Sequence, residues 1–144
     1  MSGDLYDTDI VTWSERQAAL LRRLAAGEQV NEQIDWENVV EEIESVGRSD
    51  LRGVKSLLMQ ALRYDLKAEA WPLSREVPHW RAEARGFRAQ AKSDFTESMR
   101  THIDIADLYC IALAGLPEAI DDLPPLPVPH ECPVTLDEML AAAE

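Results

Sequence analysis

The sequence predicts an all-α fold: a single-domain bundle of about five helices, followed by a Pro-rich tail and a short C-terminal helix. Apolar residues recur at helical spacing in successive stretches, and no stretch of useful length alternates as a strand does. The connections are short, which favours antiparallel neighbours in a bundle. No internal repeat is present, so one domain, residues 1–144, accounts for the chain, with 117–134 extended and 135–144 helical.

Asp7 or Thr8 can cap the first helix, which closes near Gly27. Its apolar stripe is Ile10, Trp13, Leu20, Leu21 and Leu24, and Arg22 and Arg23 suit the negative end of its dipole. A short connection with Val30 and Ile34 leads to a strongly acidic helix. Asp35 can accept bonds from its first-turn N–H groups, and Gly47 offers a left-handed stop. Trp36, Val39, Val40, Ile43 and Val46 form its apolar positions, whereas Glu37, Glu41 and Glu44 share a separate face.

Beyond Gly47, the run Arg48-Ser49-Asp50 either caps a third helix or marks a kink in one long helix. Val54, Leu57, Leu58, Ala61, Leu62 and Leu66 extend the apolar face to about Glu69, and Pro72 ends it because its ring nitrogen cannot donate. Pro78 suits the first position of the next helix. There Trp80, Ala84, Phe87 and Ala91 make the apolar stripe, beside a basic row of Arg81, Arg85, Arg88 and Lys92.

Ser93 or Asp94 is expected to cap a fifth helix burying Met99, Ile103, Ala106, Cys110 and Leu113, broken by Gly115-Leu116-Pro117. The prolines of residues 122–130 favour an extended, polyproline-like course. Thr135-Leu136-Asp137-Glu138 is a capping box that opens the last helix. Trp13, Trp36 and Trp80 lie on apolar stripes, and Trp71 is placed to cover a bundle end.

The net charge of −13 argues against a general nucleic-acid binder, which needs clustered cations. All 14 Lys and Arg residues lie at or before Arg100, so the last third of the chain is purely acidic. No apolar run approaches the ~20 residues that cross a bilayer, and the residues after Met1 lack a signal-peptide pattern. The expected location is cytoplasmic, with Cys110 and Cys132 as reduced thiols.

Five segments occur in a specific order: Leu5 to Trp13 (LYDTDIVTW), Asp35-Trp36-Glu37-Asn38 with its Glu-Glu-Ile-Glu continuation, Leu57-Leu58-Met59, Trp80-Arg81, and Glu131-Cys132-Pro133. Together they resemble the DUF29 family of small bacterial proteins, over about Leu5 to Leu140. The resemblance implies an α-helical fold and a bacterial origin. The family has no established biochemical function, so the resemblance carries no activity across. Many relatives have a His after the Leu-Leu-Met of the third helix, where this chain has Gln60.

Three constellations bear on function. Glu37, Glu41 and Glu44 are spaced so that their carboxylates converge on one helix side, an oxygen-only set suited to Mg²⁺ or Mn²⁺ and to metal-dependent hydrolysis of a phosphorylated or nucleic-acid substrate. Arg81, Arg85, Arg88 and Lys92 form a line able to meet phosphates or carboxylates, the basis of a nucleic-acid accessory role. The two rows complement each other, and their pairing, within a chain or between copies, is the preferred account. His130 beside Cys132 lacks the spacing of a zinc site, and adjacency alone does not activate a thiol. The leading expectation is a helical protein-interaction or regulatory module without a cofactor. It should be a homo-oligomer, with protein rather than nucleic acid or membrane as its partner.

Overall fold

A computed structural model describes residues 2–141; the final residues of the expected 135–144 helix lie outside that range. Six α-helices occur among the described residues: α1 Ser2–Thr8, α2 Ile10–Ala25, α3 Trp36–Ala70, α4 Val77–Asp94, α5 Ile105–Ala114 and α6 Leu136–Ala141. Two 3₁₀ turns, Asn31–Gln33 and Glu97–His102, complete the helical elements. There is no strand among the described residues, only an isolated pairing of Ile120 with Leu123. The chain divides into two compact units, Met1–Ser49 and Asp50–Glu144.

In the first unit the helix expected to open after Asp7 or Thr8 is α2, with its cap at Asp9 instead, and a further short helix, α1, precedes it. Asp9 is non-helical and caps α2, its carboxylate accepting from the Thr12 N–H at 3.1 Å and the Thr12 hydroxyl at 2.7 Å. At the other end Gly27 has φ +94°, with its N–H donating to Leu24 O and the Glu28 N–H donating to Arg23 O. Those two bonds are a Schellman stop. A Cβ on Gly27 would touch nothing within 4 Å, so Gly27→Ala isolates the backbone term. Urea titration should show a loss of about 1–2 kcal/mol, the strain of a left-handed L-residue.

Trp13, Ile34 and Val39 form the core of this unit, with Tyr6 edge-on to Trp13 at 4.8 Å between ring centres. Asp35 organises it. Its carboxylate accepts from the Trp13 indole N–H at 3.0 Å and the Asn38 amide at 2.8 Å, and its own N–H donates to the buried Gln17 side chain at 2.8 Å. The Asn38 side-chain bond, then the Trp13 bond and the Asn38 N–H, hold the Asp35 carboxyl below its ordinary value of 3.8, against the opposing effect of burial. A depressed folded pKa means stability present above the unfolded value and lost as pH falls through the folded one. Trp13 fluorescence should therefore report loosening as pH drops below 3.8, and Asp35→Asn should remove that part of the acid transition.

Helix α3 settles the open question about residues 36–69: it is one continuous helix of 35 residues. Gly47 is not a stop. It lies in the helix interior, where a single glycine costs only about 1 kcal/mol and the packed length outweighs it. The expected burial of the acidic helix's apolar positions is also corrected. Val39 is buried, but Trp36, Val40, Ile43 and Val46 are exposed, as is Ile10 of α2.

In the second unit Val54, Leu58, Ala61, Leu62 and Leu66 of α3 pack with Ala91 of α4, Leu108, Tyr109 and Ala112 of α5, and Met139 of α6. Pro72 follows the end of α3 and Pro78 sits in the first turn of α4, both as their chemistry requires. Trp80, Ala84 and Ala91 are buried along α4, and Trp71 is buried in a smaller cluster with Trp80.

The fifth helix starts later than expected. Neither Ser93 nor Asp94 caps it; Phe95 is extended, a 3₁₀ turn intervenes, and Asp104 caps α5 by accepting from the Ala106 N–H at 3.0 Å. That shift rotates the buried face onto Leu108, Tyr109 and Ala112, leaving Cys110 exposed rather than in the core. Gly115 ends the helix, and its missing Cβ leaves room for the Arg63 guanidinium.

The tail runs without helix or strand but is tied down. The Trp71 indole donates to Leu123 O at 2.9 Å, the Leu126 N–H donates to Ala70 O at 2.9 Å, and the Tyr109 hydroxyl donates to Pro129 O at 2.6 Å. The capping box forms as expected: the Thr135 N–H donates to Glu138, and the Glu138 N–H donates to the Thr135 hydroxyl, each at 3.1 Å. Arg100 bridges Glu97 and Asp137, tying the 3₁₀ turn to α6.

Candidate interaction surfaces

Two surfaces stand out, one in each unit. The first is the apolar row on α3. Eighteen residues are five turns of helix, so Trp36 shares its angular position with Val54, Val40 with Leu58, and Ile43 with Ala61. The members of each pair have opposite fates: 42%, 50% and 68% exposed in the first unit, against 1%, 0% and 0% in the second. The Trp36 indole N–H is satisfied by Asn31 O at 3.0 Å, so only its apolar body is left to solvent. Beside this row lie Glu37, Glu41 and Glu44, all exposed. Glu41 takes Arg48 of the same helix at 2.8 Å. Among the described residues, no group of three or more His, Cys, Asp or Glu side chains is placed to hold a metal ion.

The second surface is a cleft of about 310 Å³ between α3, α4, α5 and the tail. From α3 come Leu62, Asp65, Leu66 and Glu69, spaced along one side; from α4 come Arg81, Arg85 and Arg88, at i, i+4 and i+7. Tyr109 of α5, with Pro133 and Val134 of the tail, closes it. Asp65 is the centre of charge. Arg81 reaches its Oδ1 at 2.9 Å and Arg88 reaches its Oδ2, so both carboxylate oxygens are taken.

Arg88 and Asp65 retain only 16% and 17% of their side-chain exposure, and Arg88 Nε has no hydrogen-bond partner. Burial pulls the Arg88 pKa below its usual value, although a guanidinium stays charged. Tyr109 is pushed up, first by burial and then by the charges of Glu69 and Cys132. Arg85 makes no hydrogen bond or ion pair among the described residues, and Lys92 is exposed near the end of α4.

The basic row of Arg81, Arg85, Arg88 and Lys92 thus exists on α4, but the ion pairs of Arg81 and Arg88 go to Asp65, not to the Glu37 row. Asp65 is not among the residues that spacing and charge single out in the sequence. The signal was there: a carboxylate set between Leu62 and Leu66, on the side of α3 that buries both leucines.

No His, Cys or Ser nucleophile joins the cleft among the described residues, and no helix there is long and apolar enough to cross a membrane. The fold and both surfaces define an all-helical protein whose exposed features are a bare apolar helix face and an arginine-lined cleft. By its sequence the chain belongs to the family described as "Domain of unknown function DUF29", whose model matches residues 5–143. It is similar to the crystal structure of an α-helical protein of unknown function from Rhodospirillum rubrum, at 27% identity and a TM-score of 0.69, covering 94% of this chain and 88% of that one. No curated protein matches it.

Proposed function

We propose that this is a protein-interaction module that self-associates through the apolar row of α3, its partner being a second copy of the chain. The observation that carries the reading is the phase match: the face that forms the core in one unit continues uncovered in the other. Trp36, Val40, Ile43 and Val46 are 42%, 50%, 68% and 62% exposed, an apolar row of the kind that a partner covers.

A second copy also suits the charges. The row is flanked by Glu37, Glu41 and Glu44, while α2 of the same unit presents exposed Arg16 and Arg22, Arg23 beside them being paired with Glu28. A two-fold pairing lets each copy offer its α2 cations to the other's α3 carboxylates, because a two-fold interface uses the same patch twice.

Light scattering coupled to size exclusion tests this. At about 100 µM, where a micromolar Kd leaves most chains paired, the protein should elute with the mass of a dimer. Val40→Glu with Ile43→Glu should give a monomer with the same far-ultraviolet helical signal. A monomeric parent at that concentration, or a dimer that survives both substitutions, overturns the reading.

A further inference from the structure

We propose that the cleft between α3 and α4 is a binding site for a small organic oxyanion, a carboxylate or phosphomonoester carried on a short apolar body. The argument starts with charge. The chain as a whole carries −13, yet Arg81, Arg85 and Arg88 against Asp65 and Glu69 leave this cleft with three positive and two negative groups, a surplus of one cation.

That surplus is not disposed of within the fold. Asp65 has spent one oxygen on Arg81 and the other on Arg88, and Arg85 is left without a partner among the described residues. A guanidinium carries five N–H donors, so a single bond from Arg81 to Asp65 leaves most of its donors unused. The Nε of Arg88 is buried and unsatisfied as well. Planar arginine forks of this kind match carboxylate and phosphate oxygens.

Asp65 has a second effect. By anchoring Arg81 and Arg88 it fixes the floor of the site in advance, so a ligand need order little beyond Arg85. The remaining wall is apolar, with Leu62, Leu66 and Tyr109 buried behind it and Val134 at its edge. A volume of about 310 Å³ is at the small end for ligand pockets, which points to a compact molecule and not to a peptide or nucleic acid. The site lies wholly within the Asp50–Glu144 unit, so it neither needs nor reports on self-association through residues 36–46.

Calorimetric titration of the full-length protein with benzoate and with phenyl phosphate, using benzyl alcohol as the neutral analogue, tests the proposal. The expected result is saturable binding of at least one oxyanion with a Kd of about 1 mM or tighter, and none of the alcohol. The tighter of the two oxyanions then names the ligand class. Arg85→Gln alters an exposed, unpartnered side chain, so it should keep the parent's circular dichroism while weakening binding about tenfold or more. Failure of both oxyanions to bind, equal binding of the alcohol, or undiminished binding by Arg85→Gln each overturns it.

Discussion

Truncating Leu58 to alanine should destabilise the protein by about 3–4 kcal/mol, while the equivalent change at Val40 should cost less than about 0.5 kcal/mol. Both residues occupy the same angular position on α3, five turns apart. Leu58 is fully buried against the core of the second unit, so removing its branched end loses transfer energy and leaves a void that close-packed neighbours cannot collapse. Val40 is half exposed, and its methyl groups contact water in a single chain.

Urea unfolding measures both variants, and protein concentration sharpens the comparison. Binding to the folded state raises apparent stability by mass action. If α3 pairs between copies, the cost of Val40→Ala should therefore grow with protein concentration, whereas that of Leu58→Ala should not. A Val40→Ala cost that is the same in dilute and concentrated samples counts directly against self-association.

Replacing Asp65 with alanine is the other large effect, a loss of about 3 kcal/mol. Breaking a buried ion pair strands the remaining charge, an effect of roughly 3–5 kcal/mol when both partners are fully buried. The lower end applies because Arg81 is 42% exposed and recovers solvation, while Arg88, at 16%, does not. Asp65→Asn should lose less, since an amide oxygen still accepts from one of the two guanidinium groups. Pairing Asp65→Leu with Arg88→Met should recover most of the loss, because two apolar side chains in that space leave no buried charge unpaired, and the Arg81 guanidinium, 42% exposed, returns to water. Chemical denaturation of the parent and these three variants measures each loss. An Asp65→Ala variant within about 0.5 kcal/mol of the parent would mean the pair contributes nothing to the fold.

The features legible in the sequence were those set by neighbours in the chain. The Thr135–Glu138 capping box, the stop before Pro72, the start of α4 within one residue of Pro78 and the Trp80, Ala84, Phe87, Ala91 stripe, buried at all but the half-buried Phe87, each depend on a few adjacent residues. What misled were signals whose strength depends on distant packing. Gly47 looked like a terminus because a glycine weakens a helix locally, yet the length of α3 carries it through. Ser93 and Asp94 looked like caps, but Asp104 took the role and turned Cys110 outward.

Periodicity identifies the apolar side of a helix and is silent on what covers it. For that reason Val40 and Leu58 read alike in sequence and differ completely in exposure. The candidate cleft was half legible for a related reason. The row of arginines on α4 shows in the spacing, but which carboxylate faces it is a tertiary fact. Charge alone nominated Glu37, Glu41 and Glu44, where the fold supplies Asp65.

The Pro-rich tail has a spectroscopic consequence. Prolines at 124, 125, 127 and 129 have no amide hydrogen, so across 124–129 only Leu126 and Val128 carry an exchangeable backbone proton. That of Leu126 is donated to Ala70 at the end of α3. Its deuterium uptake is thus a single-site gauge of how often this strap lifts from the helix, undiluted by signal from its neighbours. The same lack of donors denies a passing chain the ladder it would need to pair along the segment, so the strap can open without offering an edge for aggregation.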